Sequence, residues 1–193
     1  MMKNLTAANQ LTILRMLLIP AFVILLTYGY RGWALVAFLT AGLTDMLDGL
    51  IARSTGQNTE LGAWLDPVAD KLLLVTMFIV LTLPGIGSAN QLPLWFTILV
   101  ISRDVAIGAT VLVYNLAVGP RTFRPSIFGK IATATYIVTG VITLYFNYLN
   151  QRSDVVTAFI YGSLAITFVS AGHYLLQMIR LTNSGSVPRK AEG

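Results

Sequence analysis

Six long apolar runs, at about residues 11–28, 33–47, 64–83, 92–115, 130–149 and 155–178, constrain this chain more than any other feature. Each approaches the roughly 20 residues that carry an α-helix across the hydrocarbon of a bilayer. The bilayer interior offers no water to backbone polar groups, so only helices and closed β-barrels span it. The runs are continuous rather than alternating in polarity, which argues against a barrel and predicts six helices. Charge agrees: only 11% of the 193 residues are charged, against about 25% in soluble domains, and the mean hydropathy is +0.73. The expected fold is all-α, a polytopic membrane protein whose six transmembrane helices form one bundle. One membrane domain over residues 1–182 is expected, followed by a flexible tail over 183–193.

The charged residues orient the bundle. With six spans both termini fall on one side, together with the loops at 48–63 and 116–129. That side holds ten of the thirteen Lys and Arg residues, Arg31 and Arg152 lie opposite, and Arg103 lies within a span. Cytoplasmic loops are enriched in such cations, so the rich side is expected in the cytoplasm. The net charge of +5 then fits anionic lipid headgroups rather than nucleic acid. Lys3 and the run behind it resemble a signal peptide. Arg15 interrupts the run, however, and no A-x-A site follows Tyr28, so a retained first helix is expected. Cysteine is absent and His173 is the sole histidine. Disulfides, thiolate chemistry and cysteine nucleophiles are excluded, and neither a Ser-His-Asp triad nor a histidine-rich zinc site is expected.

Against this sparse charge, five of the eight acidic residues fall between Asp45 and Asp70. Asp45 and Asp48 are three apart and Asp66 and Asp70 four apart, spacings that put each pair on one helix face. Antiparallel packing of the second and third helices would bring all four carboxylates together at the cytoplasmic side. Four such charges near lipid need compensation, and Lys71 and Arg53 are too few to supply it. Two hard divalent cations, Mg²⁺ or Mn²⁺ with Ca²⁺ as a competitor, match carboxylate oxygens and would suit a phosphoryl-transfer clamp. A single acid such as Asp66 could equally serve as a helix N-terminal charge. Gly49, Ala52 and Gly62 keep the backbone bare for a close approach. Pro67 predicts that the third helix starts near it or bends there.

Asp45-Met-Leu-Asp48-Gly49-Leu-Ile-Ala52-Arg53, eight residues, Gly62, three residues, Asp66, three residues, Asp70 follows the pattern D-x2-D-G-x2-A-R-x8-G-x3-D-x3-D. The chain thereby resembles the CDP-alcohol phosphatidyltransferases. Asn9-Gln-Leu-Thr12-Ile-Leu-Arg15, Ser102-Arg103-Asp104 and Gly129-Lys130-Ile-Ala-Thr133 resemble further landmarks of that family, so nearly the whole chain is covered.

The resemblance implies transfer of a phosphatidyl group from CDP-diacylglycerol to an alcohol, with release of CMP. It implies two divalent metals on Asp45, Asp48, Asp66 and Asp70, with Asp70 as general base. Contacts to the CDP-lipid are implied for Asp48, Gly49, Ala52, Arg53 and Gly62. Asn9 and Thr12 could reach the nucleotide, although Asn9 could equally cap the first helix. Arg53 could pair with a phosphate or with the acids. Arg103, Arg121, Arg124 and Lys130 are cations suited to a phosphorylated acceptor; for Arg121 and Arg124 a loop-charge role is as simple, and Lys130 could only reach for the interface.

Similarity to bacterial phosphatidylglycerophosphate synthases implies glycerol 3-phosphate as acceptor. Their helix four often carries a second arginine that is absent here. Arg103-Asp104 also resembles cardiolipin synthases of the CDP-alcohol type, which use phosphatidylglycerol. A homodimer in the inner (cytoplasmic) membrane of a bacterial type is implied, with membrane lipids as surroundings and no nucleic-acid partner. An aspartate-rich prenyltransferase would place its motifs far apart. A cation transporter would place acids near the bilayer midplane.

Overall fold

The computed structural model describes residues 7–55, 60–86, 88–118 and 127–184. Six helices follow in order: α1 Ala7–Thr27, α2 Arg31–Thr55, α3 Glu60–Thr82, α4 Leu94–Val118, α5 Ile127–Tyr148 and α6 Asp154–Ser184. They correspond one for one to the apolar runs, and no strand occurs among the described residues. Gln10–Thr27, Ile127–Tyr148 and Asp154–His173 are the described stretches long and apolar enough to cross a membrane. α3 begins at Glu60, seven residues ahead of Pro67, so the proline does not mark its start. A proline removes one backbone donor and not the whole ladder; α1 likewise continues through Pro20. The expected tail lies, from residue 185 on, outside the described residues.

The helix ends have local causes. α1 closes on Gly29 at φ +81°, where Tyr30 N–H reaches Leu25 O at 2.8 Å and Gly29 N–H reaches Leu26 O at 3.1 Å. α5 closes the same way on Asn150 at φ 54°, with Gln151 N–H on Phe146 O at 3.0 Å. Both turns satisfy carbonyls that the last helical turn leaves open. Ser153 caps α6, its hydroxyl accepting from Val155 N–H at 3.2 Å.

Packing centres on α1, which runs along α2 and against α3, while α2 also meets α5, α3 meets α4, and α5 pairs with α6. Ala34, Ala37 and Ala41, all buried, form a small-residue stripe on α2, which lets a neighbouring helix approach closely. Phe78 of α3, Phe96 of α4 and Tyr136 of α5 meet edge to face, with centroids 5.7 to 6.3 Å apart. Outward faces carry exposed apolar side chains such as Leu17, Ile98, Val113 and Phe168. A surface of that kind is stable against lipid and costly against water.

Buried polar groups join the helices where apolar contact alone would leave register loose. Between α5 and α6, Thr139 bonds Ser163 at 2.8 Å and Tyr136 bonds Thr167 at 2.5 Å. The α1–α2, α3–α4 and α5–α6 connections meet at one end. There Asn147 accepts from Asn90 N–H at 2.7 Å, Asn90 Nδ2 donates to Gln151 O at 2.7 Å, and Arg31 donates to Asn150 at 2.8 Å. The aspartate-bearing segments therefore lie toward the opposite end.

Candidate active site

Asp45 of α2 and Asp70 of α3 meet on a residue of α1. Arg15 presents Nη2 to Asp45 Oδ1 at 2.9 Å and Nη1 to Asp70 Oδ1. Its side chain is fully buried, whereas each carboxylate keeps 43% of its side-chain surface exposed. A guanidinium sealed from water requires such pairing, because an isolated buried charge is far costlier than a paired one. Thr12, one turn earlier on α1 and three residues from Arg15, is also buried. The convergence expected of α2 and α3 thus exists for these two acids, and α1 mediates it.

Asp48, Gly49, Ala52 and Arg53 continue along α2, and Gly62 and Asp66 precede Asp70 on α3. Their side chains, and that of Asn9 on α1, lie outside the described residues, as do Arg121 and Arg124 entirely. Among the described residues no three ligating side chains form a metal-sized group. Two half-open carboxylates, those of Asp45 and Asp70, are present, however. Their donors are hard oxygens, which suit Mg²⁺ or Mn²⁺ rather than soft metals.

A second polar cluster lies on α3, α4 and α5. Lys71, adjacent in sequence to Asp70, donates to Asp104 Oδ2, and Arg103 Nη1 donates to the other oxygen of the same carboxylate at 2.8 Å. Arg103 Nη2 also reaches Gly129 O at 3.3 Å and Ser170 Oγ at 3.4 Å, and its guanidinium lies 6.0 Å from the Tyr136 ring centroid. One carboxylate between two cations leaves a net positive charge. Lys71, Arg103, Lys130, Thr133 and Ser170 line a cavity of about 570 Å³. Arg103 and Ser170 also belong to a neighbouring groove of about 610 Å³ between α4 and α6, walled by Leu99, Ala106, Ile107, Phe168 and Ala171.

Of the acceptor residues expected from sequence, Arg103 and Lys130 thus share a cavity. Lys71, expected as a counter-charge for the four acids, engages Asp104. Arg15 as the joint partner of Asp45 and Asp70, and Ser170 as a partner of Arg103, were not assigned from sequence. Two signals could have flagged Arg15: it interrupts an apolar run, and it closes the Asn9–Arg15 stretch that resembles a family landmark. His173 is exposed and lies against the Phe128 ring at 4.9 Å, consistent with a packing role.

Comparison with known proteins identifies the family. A phosphatidylglycerophosphate synthase described as probable, from Mycobacterium tuberculosis, is 34% identical over 182 residues, covering 90% of this chain and 81% of its own. A human cardiolipin synthase (CMP-forming) is 32% identical over 198 residues, covering 91% of this chain and 64% of its own. A CDP-diacylglycerol–glycerol-3-phosphate 3-phosphatidyltransferase from Pseudomonas fluorescens is 41% identical over 108 residues, about half of each chain at 52%. The family model for CDP-alcohol phosphatidyltransferase matches residues 5–169, spanning Arg15, all four aspartates and Arg103, and the chain belongs to that family.

Proposed function

We propose that the protein transfers the phosphatidyl group of CDP-diacylglycerol to glycerol 3-phosphate, releasing CMP, at the cytoplasmic face of a bilayer crossed by all six helices. The observation that carries this reading is the meeting of Asp45 and Asp70, from two different helices, on Arg15 beside a basic cavity. Two divalent ions, Mg²⁺ or Mn²⁺, held by Asp45, Asp48, Asp66 and Asp70 would neutralise the diphosphate of the nucleotide lipid.

The chain's own groups do the rest. Asp70 takes the proton of the acceptor hydroxyl. The freed oxygen forms a bond to the phosphatidyl phosphorus as the bond to CMP breaks, and CMP leaves with the electron pair. Arg15 holds the base in place from the buried side. Arg103, Lys71 and Lys130 offer donors to the acceptor phosphate, where the planar guanidinium can engage two oxygens at once. With cysteine absent, a carboxylate base and direct displacement suffice.

A lipid acceptor is the second reading, and one observation favours it. The apolar groove between α4 and α6 shares Arg103 with the basic cavity. An acceptor with an anionic headgroup and acyl chains, such as phosphatidylglycerol, would find both environments there. The purified protein is tested with CDP-diacylglycerol, Mn²⁺ or Mg²⁺, and glycerol 3-phosphate or phosphatidylglycerol, with products identified by mass. CMP and phosphatidylglycerophosphate are expected, with activity lost in excess chelator and restored by Mn²⁺ or Mg²⁺. Product only from phosphatidylglycerol would establish the second reading, and undiminished turnover without divalent ions would end the proposed mechanism.

A further inference from the structure

Among the described residues Arg15 is the one charged side chain wholly withdrawn from solvent, and its two carboxylate partners are each 43% exposed. The asymmetry has a physical meaning. Two carboxylates brought side by side repel each other, and a cation fixed behind them offsets that repulsion while leaving their outer surfaces open. The two Nη atoms of one planar guanidinium also set the spacing of the oxygens they hold, which a flexible ammonium cannot do. Because Asp45, Asp70 and Arg15 sit on three separate helices, the same contacts tie α1, α2 and α3 together at the site.

We infer that Arg15 is a positioning residue, the internal counter-cation that keeps Asp45 and Asp70 assembled when no divalent ion is bound. This rests on the reading of those two aspartates as metal ligands. The guanidinium and an incoming ion draw on one pair of carboxylates, so removal of either cation raises the protein's dependence on the other. A residue that merely filled space between α1 and its neighbours would show no such exchange.

The test follows thermal unfolding of the purified full-length protein, chelator-treated or saturated with Mn²⁺, with bound Mn²⁺ counted by electron paramagnetic resonance. Arg15→Gln should lower the metal-free Tm by on the order of 5–10 °C, because it removes the cation that two neighbouring carboxylates share. Mn²⁺ should then raise the Tm of the variant at least twice as far as that of wild type. Adding Asp45→Asn to Arg15→Gln removes one of the two like charges and should recover part of the metal-free loss. Arg15→Lys keeps the charge without the fork and should fall between wild type and Arg15→Gln.

A metal-free Tm equal to wild type in Arg15→Gln, or a Mn²⁺ response no larger than wild type, overturns the inference. So does a double variant no more stable than the single. If Arg15→Gln does not fold, Arg15→Lys decides, and wild-type Tm and wild-type Mn²⁺ response in that variant overturn the inference. A wild type that binds no Mn²⁺ instead removes the metal reading and the exchange with it. The metal-free comparison of Arg15→Gln with the double variant then still judges the counter-charge role.

Discussion

Lys71 of α3 donates to Asp104 of α4, so the cation that follows Asp70 in sequence serves the basic cavity and not the aspartates beside it. The two polar clusters are thereby divided by sign. Arg15 neutralises part of the Asp45–Asp70 pair, and Asp104 part of the Lys71–Arg103 pair. Each cluster is predicted to fail in its own way.

Arg103 is held by Asp104, Gly129 O and Ser170, which fixes its fork at the cavity wall. Arg103→Ala is expected to raise the KM for the acceptor about tenfold or more, the scale of one charge-assisted hydrogen bond, while changing the KM for CDP-diacylglycerol little. Arg103→Lys should do less harm. Initial rates at varied acceptor concentration decide this, and an unchanged acceptor dependence would locate the acceptor elsewhere.

Asp70→Asn keeps the size of the side chain and removes its basicity. Turnover is expected to fall by about 10²–10⁴-fold, the usual contribution of a general base, while CDP-diacylglycerol and Mn²⁺ still bind. Single-turnover rates beside equilibrium binding separate the two effects. Near-normal turnover would remove Asp70 as the base.

Gly140 of α5 packs directly on Met77 of α3, and a Cβ there would overlap the Met77 Sδ and Cε atoms. Met77 is itself fully buried, which limits its room to move. Gly140→Ala should therefore cost about 1–3 kcal/mol by overpacking. Shortening Met77 to Ala in the same chain should make the two changes non-additive, because the added methyl partly fills the space vacated. Tm values of the four proteins in one detergent measure the coupling, and strictly additive shifts would contradict it.

Asn147 is fully buried and exchanges hydrogen bonds with Asn90 at 2.7 to 3.2 Å, at the end away from Arg15. Asn147→Leu removes the side chain that bonds the Asn90 backbone N–H and C=O and should cost about 1–3 kcal/mol. Both KM values should stay within about twofold, since a change away from the site leaves substrate binding intact. A selective shift in acceptor KM would show that this end couples to the chemistry.

The helices were legible because a bilayer-length apolar run is a strong local signal, and all six runs became helices within a few residues of their expected bounds at most ends. Asp45 and Asp70 were legible through fixed spacing. Their common partner was not. Arg15 is 30 residues from one and 55 from the other, and no local pattern reveals which face of α1 turns toward α2 and α3. In soluble helices a polar face supplies that information. Here buried positions such as Phe22 and exposed positions such as Leu17 are alike apolar, because lipid and core make the same demand. Lys71 misled for the same reason: adjacency to Asp70 says nothing of the turn that brings Asp104 within reach.

The burial of Arg15 bears on how the chain is made. During synthesis α1 reaches the translocon before Asp45 or Asp70 has emerged from the ribosome, and a guanidinium within the span opposes partition into lipid by up to about 2.5–3.5 kcal/mol, the cost at a helix centre. The first segment is therefore expected to commit fully to the bilayer only once the third has emerged. Glycosylation-site mapping of ribosome-stalled chains of increasing length would show this as incomplete insertion that resolves after residue 70.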